Sequence, residues 1–144
     1  MISLELASQL KEAGLLWQPA LHDFFALPEH GMGERIFVIS DIQASVDFLQ
    51  GEQVVSFQGA SEWALDYLLS AEALWVPTES QLRQHLESAL LESGSTELSL
   101  HGWLAGYQLS MRYLGEIRSF QAAEADEAYA QALLFVLHSL KEGG

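Results

Sequence analysis

Six Lys plus Arg stand against twenty Asp plus Glu in this 144-residue chain, a formal charge of −14 with the five His neutral. That balance excludes ordinary nucleic-acid binding, which needs clustered cations to neutralise phosphates. A composition of 49% hydrophobic and 10% aromatic residues excludes intrinsic disorder, and the absence of Cys excludes disulfides, thiolate chemistry and Cys-ligated metal sites. The length fits a single α+β domain over 1–144, which buries roughly 68% of its unfolded surface without any covalent staple.

Met1-Ile2-Ser3-Leu4-Glu5 lacks the basic start and apolar run of a signal peptide, so a cytoplasmic location is expected. The apolar run 132–137 falls far short of the about 20 residues of a membrane span, so no membrane association is expected. The acidity is dispersed: two basic against eleven acidic residues in 1–72, −9, and four against nine in 73–144, −5.

Ser3 caps a first predicted helix carrying Leu6, Leu10 and Ala13 on one face, stopped by Gly14 and expected to pack on a sheet. Trp17-Gln18-Pro19 and Ala26-Leu27-Pro28 punctuate an extended or looping stretch. Arg35 to Ile39 reads as a buried strand and Gln53 to Phe57 as another, while 41–49 fits either a short helix or irregular structure. Ser61 caps a second predicted helix with Trp63, Tyr67 and Ala71 along one stripe, stopped at 73–77. Thr78-Glu79-Ser80-Gln81 matches a capping box and opens a helix with Leu82, His85, Leu86, Ala89 and Leu90 on one face, ended by Ser93-Gly94.

From Glu97 the apolar period changes to two. Leu98, Leu100 and Gly102, then Tyr107, Leu109, Met111 and Tyr113, then 117–121, read as a three-stranded antiparallel meander turning at Ala105-Gly106 and Gly115-Glu116. A last helix over 123–140 opens with Glu124, Asp126 and Glu127, which suit its positive dipole end, and buries Ala125, Ala128, Tyr129, Ala132, Leu133, Val136 and Leu140. The whole predicts one mixed or mostly antiparallel sheet of about five strands with three or four helices. Ala13-Gly14-Leu15-Leu16-Trp17-Gln18-Pro19 echoes Ala71-Glu72-Ala73-Leu74-Trp75-Val76-Pro77, each closing a predicted helix with Leu-Trp-x-Pro, which would fit a duplicated helix–strand unit.

Glu62 and Asp66 form the most distinctive charged pair, four residues apart beside Trp63 and Tyr67. Two carboxylates on one helical face repel, and facing a pocket they would hold a cation, share a proton or clamp an amine. The competing reading is a solvated first turn complementing the helix dipole. No two His have metal-ligand spacing, and no P-loop, dinucleotide fingerprint or nucleophile elbow occurs, so no catalytic set, metal or cofactor is expected. Trp63 and Trp75 fit core packing, and Trp103 near a hairpin tip is expected to be exposed. The candidate binding surface therefore comprises Glu62, Trp63, Asp66, Trp75, Arg83 and Trp103.

The run Phe57 to Tyr67 and the run Leu74 to Arg83, together with Ala13 to Pro19, Asp23 to Pro28, Phe120 to Ala122 and Ala128 to Leu134, resemble a small bacterial family, some of whose members carry a pilus-assembly label. That label belongs to longer proteins with a P-loop ATPase domain, and this chain has no P-loop. The resemblance implies a bacterial cytoplasmic origin and assigns no activity. The reading it leaves in front is a soluble accessory protein that engages a protein partner through an acidic, aromatic-bearing surface, with homo-oligomerisation expected. A small-molecule or metal-dependent enzyme built on Glu62 and Asp66, with Asp23, Arg83 or a distant His, is the alternative. An acidic mimic of nucleic acid ranks third.

Overall fold

Ser3 accepts from the Leu6 N–H through Oγ at 3.1 Å and opens α1, Leu4–Glu12. Gly14, at φ +109, stops it where a side chain would be strained. The computed structural model describes residues 1–28, 33–39, 44–49, 52–57, 67–69 and 73–143, with 44–49, 52–57 and 67–69 described as backbone only. The chain forms two compact units, Leu16–Val76 and a second composed of Met1–Leu15 with Pro77–Gly144.

In the second unit the capping box is complete: Gln81 N–H donates to Thr78 Oγ1 at 3.3 Å and Thr78 N–H to Gln81 Oε1 at 2.9 Å, opening α2, Glu79–Glu92. Leu82, Leu86 and Leu90 are its buried stripe, whereas His85 of the expected face is exposed. Strands β7 (Leu98–Trp103), β8 (Gly106–Tyr113) and β9 (Glu116–Ala122) form the expected antiparallel meander in the order β7-β8-β9. Both turns fall one residue earlier than expected, at Leu104-Ala105 and Leu114-Gly115. The second has positive φ at both central residues, 51° and 85°, the type I′ geometry that matches strand twist.

Helix α3, Ala125–Gly143, lies over β8 and β9 and packs on α2. Leu109, Met111, Leu133 and Val136 are fully buried there. Leu140, expected on the buried face, is 57% exposed. Helix α1 packs on α3 rather than on a sheet. Asp126, expected only to complement the helix dipole, is buried, and its Oδ2 lies 2.8 Å from the Met1 ammonium.

The first unit differs most from expectation. It holds two three-stranded antiparallel sheets, β2-β1-β6 and β3-β4-β5, built from β1 (Phe24–Ala26), β2 (Ile36–Val38), β3 (Ala44–Leu49), β4 (Glu52–Phe57), β5 (Tyr67–Leu69) and β6 (Leu74–Val76). The α+β class holds, but three separate sheets among the described residues replace the single sheet of about five strands. Residues 44–49 form a strand because they pair along their whole length with β4. Tyr67, placed on a helical stripe by periodicity, lies instead in β5 opposite Ser56: strand pairing overrides a local 3.6-residue period.

The expected buried strand at 35–39 is an edge strand, with Ile36 and Val38 exposed. Trp17 lies outside any strand and Trp75 within β6, so the Leu-Trp-x-Pro echo is not a repeated unit. Opposite one another in register, Phe37, Phe25 and Trp75 make one cross-strand aromatic row. Trp17 lies against it, 5.8 Å from Phe25 and stacked on Trp75 at 6.5 Å and 10°. Such rows are the unit of stabilisation in small sheets.

Candidate functional site

Of the six candidate surface residues, Glu62, Trp63 and Asp66 lie outside the described residues. The carboxylate pair therefore has no described geometry. Trp75 is 9% exposed, part of the aromatic row in β6, which suits a core side chain. Arg83 is exposed on α2, its Nε 3.4 Å from Glu87 Oε1 one turn along the helix. Its charge also opposes the effect of burial on Tyr129 of α3, whose phenol burial pushes up. Trp103 ends β7 at 45% exposure, its ring stacked on His101 at 6.2 Å and 24°. These three described residues thus sit in separate surroundings: a ring stack, a helical ion pair and a hairpin tip.

Asp23 is buried, and its Oδ2 accepts from Trp17 Nε1 at 2.9 Å and from the Ala20 N–H at 3.0 Å. These two bonds tie the 17–23 loop together. Among the described residues no group of three His, Asp or Glu is placed to hold a metal ion. No helix among them is long and apolar enough to cross a membrane.

Period-two alternation makes the outer face of the meander uniform. Ser99, Ser110 and Ser119 form one cross-strand row and His101, Gln108 and Gln121 the next. The Ser110 and Ser119 hydroxyls lie 3.1 Å apart, and Gln121 Nε2 donates to Gln108 Oε1 at 3.4 Å. Arg112 closes one end, donating from Nε to Glu97 Oε2 at 3.0 Å and from Nη1 to the Gly115 carbonyl at 3.1 Å. Trp103 closes the other, followed by Leu104, which is fully exposed in the two-residue turn. Leu104 and His101 were not among the sequence candidates. An apolar residue inside a two-residue hairpin turn was the available signal for Leu104, and the shared strand face with Trp103 the signal for His101.

No family model matches the chain, and neither curated proteins nor solved structures include a significant match.

Proposed function

We propose that the chain is a bacterial, cytoplasmic accessory protein that binds a protein partner, with the β7–β8 hairpin tip as its anchor. The observation that carries this reading is the adjacent exposure of Trp103 and Leu104 at the end of a hairpin paired in unbroken register. A large aromatic presented on an ordered strand loses little conformational freedom on binding and buries a large apolar area, the chemistry of an interface anchor. The −14 charge of the whole chain favours a basic rim on the partner and draws it in at low salt.

The test is photocrosslinking in the host cell, with a benzoylphenylalanine probe placed at Leu104 and a control probe at Gln84 on α2. The expected result is one adduct from Leu104, differing in mass from twice the 16.0 kDa chain, lost in Trp103→Ala and absent from the control. Adducts equal from both positions, or none from Leu104, overturn the reading.

A further inference from the structure

Both edges of the meander expose a row of backbone groups, yet only one is defended. Strand β9 carries Glu116 and Arg118, paired at 2.7 Å, with the Arg118 guanidinium 5.1 Å from the Phe135 ring of α3. A charged side chain directed to the covered face of an edge strand discourages an added strand. Strand β7 has no such device: no charge, no proline and six residues in unbroken register with β8. It lies inside 98–111, the longest run of the chain without a charged residue. Helix α3 covers β8 and β9, leaving Leu98 and Leu100 of β7 half-exposed.

We infer that β7 pairs with β7 of a second copy of this chain, antiparallel about a two-fold axis at Leu100, joining two meanders into one six-stranded sheet. The Arg112 N–H donates to the Glu97 carbonyl at 3.2 Å, so alternate residues of β7 from 97 onward bond to β8. Leu98, Leu100 and Gly102 therefore turn their N–H and C=O groups outward. An antiparallel pair centred on Leu100 sets these outward groups against one another: Leu100 opposite Leu100, and Leu98 opposite Gly102. Gly102 has no side chain to clash with that leucine. A Cβ there would already meet the Tyr107 ring at 3.0 Å. On the other face Ser99 falls opposite His101, again without charge.

Two chains of −14 repel wherever acids meet, and this edge lets them approach without opposing carboxylates. The pairing does not rest on the hairpin-tip reading, because it is read at Ser99 and His101 rather than at Leu104.

The chain has no native Cys, so an introduced pair reports cleanly. In the Ser99→Cys/His101→Cys variant, mild oxidation is expected to give a disulfide-linked dimer, because opposed residues of an antiparallel pair fall within bridging distance. Ser119→Cys/Gln121→Cys on the β9 edge is expected to stay monomeric on reducing-free gels. By sedimentation the unmodified chain is expected to be a dimer, and Ser99→Lys/His101→Lys to weaken it by roughly tenfold or more through two like-charged cross-strand pairs. Both positions are exposed, so an unchanged circular dichroism spectrum shows that the monomer still folds. A monomer at all concentrations overturns the inference, as does a dimer that links through β9 or ignores the lysines.

Discussion

At the residue scale, single side chains and glycines meet specific demands of the meander. Gly106 has φ +152, and a Cβ there would lie 2.6 Å from the Ala122 carbonyl oxygen. Gly106→Ala is expected to cost about 1–3 kcal/mol in urea unfolding, because the obstacle is backbone and cannot swing away. Leu114 sits at φ 51 in the second turn with its side chain 66% exposed. Asn tolerates this conformation, so Leu114→Asn is expected to raise stability by about 1 kcal/mol in the same measurement. The Met1 ammonium is raised above its ordinary pKa of 8.0, chiefly by its hydrogen bond to Asp126 and then by the Asp126 charge. A base raised on folding stabilises fully below its unfolded value and loses that contribution as pH rises through the folded one. Urea midpoints are therefore expected to fall above pH 8.0, and α-amine acetylation is expected to flatten that part of the profile.

At the element scale, α2 begins where two side chain to backbone bonds satisfy otherwise orphaned N–H groups at Thr78 and Gln81. Thr78→Ala is expected to cost about 1 kcal/mol, seen as a lower urea midpoint with an unchanged slope. This start was legible in the sequence because a capping box is local, spanning four residues. The meander was legible for a similar reason: its period of two runs over strands of six to eight residues. Strands β1, β5 and β6, at three residues each, are too short for any period to show. Tyr67 illustrates the consequence. Its helical spacing from Trp63 and Ala71 was a pattern without a helix at 67–69.

At the scale of the whole molecule, the dominant fact is the −14 charge and where it is missing. If two copies pair along β7, their remote acids repel while the edge itself does not. Added salt screens that repulsion. Dimerisation is therefore expected to strengthen between low salt and about 0.15 M, the reverse of an interface held by ion pairs. Sedimentation at the two ionic strengths measures this. Partner binding at Leu104, steered by the acidic surface toward a basic rim, is expected to weaken over the same range, so the two surfaces separate by the sign of their salt response.

By itself the sequence determined the α+β class, the start of α1, the course of α2 and α3, the three-stranded meander and the exposure of Trp103. Each follows from contacts within a few residues or from one sustained period. Tertiary structure alone decided strands β1, β3, β5 and β6 and the pairing of all six strands of Leu16–Val76, where Phe25 meets Trp75 from fifty positions away, and the burial of Asp126. It alone made β7 the undefended edge, because which strand is last in a sheet depends on where α3 lies and on what pairs with what, and neither is written in any one segment.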